Sequence, residues 1–185
     1  MATPPATMPA LLLGIDDAFT RLRARLSGLG NEEYLWEPVA GSWSVRPVGD
    51  RWVADWADPN PVPAPVTTIA WRMWHIGLQC LTSYVSPALG EWPLPVRGRS
   101  WFGEASPALQ ALETSYEVFR ARISELGEDG LWTQLGPDWG PYAESTWADL
   151  VVHALDELAH HGAEIALLRD LYPALSARGR EPVRE

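Results

Sequence analysis

The chain has 185 residues, a formal net charge of −10 at pH 7 and one cysteine. All 14 basic residues are arginine, and they form no basic run, which argues against binding to the phosphate backbone of nucleic acids. A single cysteine excludes an intramolecular disulfide and a cysteine-rich zinc cage. No apolar run reaches the roughly 18 residues of a membrane helix, and the N-terminus lacks a signal-peptide pattern. We therefore expect one cytoplasmic domain over residues 1–185 that acts on a small molecule, without a nucleic-acid or membrane partner.

The first two predicted helices are separated by a long connection. Apolar side chains recur at intervals of three and four residues over Leu12–Leu26, with Gly28 as the stop, and again over Thr67–Val85. A connection as long as Asn31–Val66 is either functional or carries short structure of its own. It contains tryptophans that either cover one end of the helices or form the walls of a ligand pocket: Trp36, Trp43, Trp52 and Trp56.

Two further helices complete the predicted fold. The third begins at Ser106–Pro107 and ends at Gly127. The fourth begins near 145–146, where Asp149 is placed to complete a capping box, and ends before Pro173. Since no segment shows convincing strand alternation, we predict an all-α, up-and-down-type four-helix bundle with a long crossover between helices 1 and 2. The apolar stripes predict a core that includes Leu12, Phe19, Leu78, Leu112, Phe119, Leu158 and Ile165.

The fourth predicted helix contains most of the residues that can bind a metal. Three of the chain's four histidines, His153, His160 and His161, lie within nine residues of each other, together with Glu157 and Glu164. At about 100° per residue, His161 and Glu157 face the apolar stripe of this helix, whereas His153 and His160 turn away from it. A carboxylate that faces a core needs a partner, and a cation is one such partner.

The remaining histidine, His75, lies at the margin of the apolar stripe of the second helix. Cys80 lies about 140° from it on an α-helix, so we interpret Cys80 as a small buried hydrophobe. We predict a divalent-metal site formed by His75, Glu157 and His161. Three protein ligands with an open position are typical of catalytic zinc, and nickel, iron or manganese also suit two nitrogens and one carboxylate. The alternative is that both histidines are hydrogen-bonded in the core and Glu157 pairs with an arginine such as Arg72.

Three sequence motifs are shared with a known superfamily. They are WSV at Trp43–Val45, WHIG at Trp74–Gly77 and ELAHHGAEIALLRDLY at Glu157–Tyr172. These motifs, with the order of the helices, resemble the DinB-like superfamily of four-helix bundles, which includes the mycothiol-dependent maleylpyruvate isomerases and bacillithiol transferase-like proteins.

The resemblance implies a metal triad, with one histidine on the second helix and an H-x3-H pair on the fourth. His75 and His161 match two of these positions. Glu157 stands where the first histidine of the pair would be, and the mycothiol-dependent isomerases resemble this chain in using a His, Glu, His set.

The resemblance also implies an activity that uses a low-molecular-weight thiol such as mycothiol, with the thiolate bound to the metal. We therefore expect a metal-dependent thiol S-transferase or isomerase. The alternative is a non-catalytic, metal- or ligand-binding stress-related protein, and either one is compatible with a homodimer. An anionic thiol or acid substrate would require a basic recognition residue, for which the candidates are Arg72, Arg97 and Arg99.

Overall fold

The computed structural model describes residues 6–86 and 100–178, which are mostly helical and include one small sheet. Within these ranges, no helix combines the length and the apolar composition needed to span a membrane. The α-helices are α1 Thr7–Leu26, α2 Asn31–Tyr34, α3 Ile69–Trp74, α4 Ser83–Val85, α5 Ala105–Leu131 and α6 Trp147–Arg178. A π-helix, His75–Thr82, joins α3 to α4, and a 3₁₀-helix covers Pro137–Tyr142. The strands are β1 Val45–Val48, β2 Arg51–Ala54 and β3 Ser100–Trp101.

Several helix ends follow directly from the local sequence. α1 ends one residue before Ser27 and Gly28, and Gly28 takes a positive φ of 71°. The side chain of Thr68 accepts a hydrogen bond from the backbone N–H of Trp71 at 3.2 Å and so caps α3. At the start of α6, Thr146 and Asp149 form the predicted capping box, with reciprocal side chain-to-backbone hydrogen bonds of 2.8 and 3.2 Å.

Two helix ends differ from the prediction. The backbone leaves helical geometry at Gly127, as predicted, but a further turn continues α5 to Leu131. Pro173 lies inside α6, which continues to Arg178, so the prediction of a stop before this proline was wrong. A proline removes its own N–H donor and its ring clashes with the carbonyl four residues earlier, which can kink a helix without ending it.

The second helical stretch is not a uniform α-helix, because its middle is the π-helix His75–Thr82. In a π-helix the hydrogen bonds run from residue i to residue i+5, so residues five apart lie one above the other. The hydroxyl of Thr82 follows the same spacing and donates to the carbonyl of Gly77 at 2.8 Å. This change of period alters which side chains share a face.

The crossover between α1 and α3 contains the strands that the sequence did not predict. β1 pairs antiparallel with β2, and β2 pairs antiparallel with β3, with Trp52 opposite Trp101. The expectation of no strands was therefore wrong. β1 (Val-Arg-Pro-Val) and β2 (Arg-Trp-Val-Ala) do not alternate strictly between apolar and polar residues, and β3 has only two residues.

The long helices pack around one apolar core. α1 contacts α6 and α5, and the π-helix contacts α5. Among the side chains predicted to be buried, Leu12 and Leu78 are only partly buried. Leu78 lies within the π-helix, where the α-helical period assumed in the prediction does not apply. The other five are buried: Phe19, Leu112, Phe119, Leu158 and Ile165.

Gly77 permits the close approach of the π-helix to the sheet and to α5. A Cβ atom at this position would lie 2.9 Å from the ring of Trp101 and 3.4 Å from the Leu112 side chain. The Trp101 ring is buried, and its indole N–H donates to the hydroxyl of Tyr34 at 3.1 Å, so the ring has little freedom to move.

We predict that Gly77→Ala destabilises the protein by about 1–2 kcal/mol, because overpacking outweighs the helix propensity that alanine adds. Urea unfolding followed by circular dichroism measures this. Gly30→Ala is the matched control, since no atom lies within 4 Å of its added Cβ, and its free energy of unfolding should change by less than about 0.5 kcal/mol. Equal effects of the two substitutions would contradict the packing argument.

Candidate metal centre

The three predicted ligands meet between the π-helix and α6. Nε2 of His75 lies 3.0 Å from Oε2 of Glu157, and Nε2 of His161 lies 2.9 Å from the same oxygen. One ligand atom from each residue lies within 4.8 Å of the other two. His161 is buried, and the side chains of His75 and Glu157 are 17% and 18% exposed, so the cluster is largely shielded from solvent.

The other ring nitrogen of each histidine is held by an acceptor one turn further along the chain. Nδ1 of His75 lies 2.6 Å from Oε1 of Gln79, and Nδ1 of His161 lies 2.6 Å from Oε2 of Glu164. A carboxylate oxygen only accepts hydrogen bonds, so Nδ1 of His161 carries a proton and donates to Glu164. With the Gln79 amide oxygen toward His75, as the structure has it, Nδ1 of His75 donates in the same way. In the neutral form of each ring, Nε2 therefore presents a lone pair to the shared oxygen of Glu157.

This arrangement requires positive charge between the three groups. When Nε2 of each ring is also protonated, hydrogen bonds from His161 and then from His75 hold the pKa of Glu157 far below its usual value, although burial acts in the opposite direction. Burial lowers the pKa of His161, but hydrogen bonds to Glu157 and Glu164 outweigh it, and the net shift is upward. Two lone pairs facing one carboxylate oxygen repel it unless protons or a cation intervene. A divalent cation supplies that charge with the ligand types present.

Arg72 lies beside the cluster and pairs with Glu164. The alternative interpretation paired it with Glu157, and that part of the interpretation was wrong. Its Nε is 2.9 Å from Oε2 of Glu164, and its Nη2 donates to Oε1 of the same residue at 3.1 Å. Nη1 also approaches Nδ1 of His161 at 3.1 Å, but that nitrogen already donates to Glu164, so we treat the approach as a contact of two donors. Arg97 and Arg99 lie outside the described residues.

Cys80 lies at the cluster, contrary to the prediction. Its sulfur is 3.7 Å from Nε2 of His75 and 3.7 Å from Oε2 of Glu157. The angular argument assumed an α-helix, whereas the π-helix places residue i+5 on the same face as residue i. Cys80 is buried, and burial, followed by the charge of Glu157, raises the pKa of its thiol well above the usual value.

The other two histidines lie at the surface, as predicted. The side chains of His153 and His160 are 53% and 59% exposed. His153 approaches the outer oxygen of Glu157 at 3.6 Å, and His160 approaches Glu164 at 3.3 Å. His160, His161 and Glu164 form a second group of closely spaced ligand atoms, but its His160 is exposed and its His161 belongs to the inner cluster.

A cavity of about 300 Å³ opens beside His75. Two crossover tryptophans, Trp43 and Trp56, line it together with Trp71 of α3. The ring of Trp71 stacks on His75 with 5.1 Å between centroids and 12° between planes, and its N–H donates to the carbonyl of Asp55 at 2.9 Å. The crossover therefore forms one wall of the cavity, and through Asp55 it holds the Trp71 ring against one face of His75.

The other two crossover tryptophans have a structural role. Trp36 contacts Tyr172 edge to face, and Trp52 lies opposite Trp101 in the sheet. Two of the four crossover tryptophans thus line a cavity, and the other two pack against Tyr172 and Trp101.

Sequence reasoning did not predict that three further residues contact the predicted ligands: Gln79, Glu164 and Cys80. Gln79 and Glu164 follow His75 and His161 by four and three residues, a spacing that brings side chains together on a helix. This signal was available in the sequence. The position of Cys80 depends on the π-helix, for which the sequence offered no pattern.

Fold and site together define a mostly helical protein with a His–Glu–His cluster between its second and last long helical stretches. The family described as the DinB superfamily matches residues 15–165, and the chain belongs to that superfamily. Comparison with curated proteins and with solved structures found no match.

We predict that metal-free protein has the proton on Nδ1 of His75 and of His161, because each Nδ1 faces an acceptor at 2.6 Å. Two-bond ¹H–¹⁵N correlation spectra of histidine-labelled protein report the protonated nitrogen. The exposed His153 and His160 are internal references in the same spectrum. A bare Nδ1 with a proton on Nε2, in either His75 or His161, would contradict the proposed orientation.

Proposed function

We propose that the protein binds one divalent metal ion through His75, Glu157 and His161. The observation that carries this proposal is the pair of Nε2 atoms at 3.0 and 2.9 Å from one carboxylate oxygen, with both Nδ1 atoms engaged elsewhere. Zinc fits this donor set at about 2.0–2.2 Å from each ligand, and nickel, iron and manganese accept the same donors. Outer acceptors such as Gln79 and Glu164 fix ring orientation and make the imidazoles better donors.

We also infer that the four long helical stretches form the up-and-down four-helix bundle expected for this superfamily. The pairing of α1 with α6 and α5, and of the π-helix with α5, supports this arrangement. In such a bundle, ligands on facing helices converge in the core.

The activity that we propose is thiol S-transfer or isomerisation with a low-molecular-weight thiol of the mycothiol type. Membership of the DinB superfamily supports it, and so does the set of three candidate ligands, because a tetrahedral ion held by three side chains keeps one position for a substrate. A bound divalent ion would hold the sulfur of such a thiol as a nucleophilic thiolate at neutral pH. His75, Glu157 and His161 would hold that ion, and the ring of Trp71, which stacks on His75, would exclude water from one side.

A second candidate function is non-catalytic metal binding, and the position of Cys80 favours it. A sulfur 3.7 Å from two ligand atoms is placed to become a fourth ligand. Four protein ligands around zinc are typical of a structural site. The two candidates therefore differ in whether the fourth position belongs to Cys80 or to an external thiol.

We predict that purified protein binds about one equivalent of Zn²⁺ per chain and that Glu157→Ala lowers this by at least tenfold, because the removed carboxylate supplies both a ligand and the balancing charge. Metal content after dialysis, measured by plasma emission spectrometry, tests this. His160→Ala is the control and should keep the full content, since the side chain of His160 is 59% exposed. Loss of metal in His160→Ala but not in Glu157→Ala would refute the ligand set.

The two candidate functions give different spectra in cobalt-substituted protein. If the fourth position is open, the ultraviolet sulfur-to-cobalt band is absent until mycothiol is added, and Cys80→Ser responds as the wild type does. If Cys80 is the fourth ligand, the band is present without added thiol and disappears in Cys80→Ser. The absence of any response to thiol in both proteins would end the transferase proposal.

A further inference from the structure

The cavity beside His75 has flat, apolar walls. Trp43, Trp56 and Trp71 lie close together, with 6.5 Å between the ring centroids of Trp43 and Trp56 and 5.8 Å between those of Trp43 and Trp71. Pro61 and Pro65 add further apolar surface. A volume of about 300 Å³ lies at the lower end of the range for small-molecule sites, so the cavity holds one compact group.

The described residues that line the cavity include no carboxylate. The cation among these residues is Arg72, which forms an ion pair with Glu164 and donates to it through Nη2. Gln79 uses its oxygen on His75, so its N–H₂ group remains as a neutral donor. These walls favour an uncharged group over an anion or a cation.

We propose that this cavity binds a flat, uncharged aromatic or conjugated group of the acceptor substrate. Aromatic side chains bind flat rings by stacking and edge contacts, which a saturated ring of the same size makes less well. Because His75 is both a lining residue and a candidate metal ligand, a group in the cavity lies next to the metal centre. This proposal rests on the proposed function, since it supplies the acceptor for the metal-bound thiol.

The hydroxyl of Thr67 adds one polar group to the wall of the cavity. It lines the cavity, it is 5% exposed, and its hydroxyl has no hydrogen-bond partner among the described residues. A buried hydroxyl without a partner is unfavourable. A ring that carries a hydrogen-bonding atom would therefore suit this wall better than a pure hydrocarbon.

The test uses 5-fluoroindole as the probe, with the full-length, metal-loaded protein, and measures Kd by ¹⁹F NMR. Ala64 lines the cavity and is exposed, so Ala64→Trp fills the cavity from the surface. Val62 is on the same segment, is 97% exposed and does not line the cavity, so Val62→Trp is the matched control. We expect Ala64→Trp to bind the probe at least about tenfold more weakly than the wild type, and Val62→Trp to bind as the wild type does. Equal binding by all three proteins, or no binding by the wild type, would overturn the proposal.

Further probes test the chemical class. Fluorocyclohexane should bind at least about tenfold more weakly than fluorobenzene, a flat ring of the same size, and equal binding would exclude a preference for flat groups. 5-Fluoroindole-2-carboxylate should not bind more tightly than 5-fluoroindole, and tighter binding would overturn the uncharged class. The metal content of each sample separates the two proposals. If the wild type holds metal but does not bind the probe, the cavity assignment alone is overturned. If the wild type binds the probe but holds no metal after loading, the metal centre is overturned.

Discussion

One oxygen atom, Oε2 of Glu157, organises the centre of this protein. Two imidazoles from different helices point at it from 3.0 and 2.9 Å, and both are locked in that orientation by acceptors on their far side. Replacing any of these groups would leave a buried polar atom without its partner, which is costly in a low-dielectric interior. The requirement for positive charge at this point ties the π-helix to α6 and explains why a carboxylate is tolerated there.

The crossover serves the same centre from outside the helices. The backbone N–H of Trp43 donates to the carbonyl of Val66 at 2.9 Å, and that of Thr68 donates to the carbonyl of Trp43 at 2.8 Å, which fixes the crossover to the start of α3. Asp55 accepts the indole N–H of Trp71, which stacks on His75. A segment far from the ligands in sequence thus determines the surroundings of one of them.

Much of the fold and of the candidate site could be predicted because the signals are local. Helical stripes, the Thr146–Asp149 capping box and the inward faces of Glu157 and His161 all depend on residues a few positions apart. The pairing of β2 with β3 and the ion pair between Arg72 and Glu164 depend on tertiary contacts, and the approach of Cys80 depends on a non-α period. A helical wheel with one fixed angle per residue cannot represent a helix whose period changes partway along it.

The π-helix also determines whether the thiol of Cys80 reaches the candidate ligands. An α-helix of the same span would need one residue fewer to complete the same turns, since π-turns accommodate an extra residue within an α-helix. With its present residues in an α-helix, Cys80 would lie about 140° around the helix axis from His75 and away from the cluster. The contact between the thiol and the candidate ligands is therefore a property of the helix period and not of the ligand residues themselves.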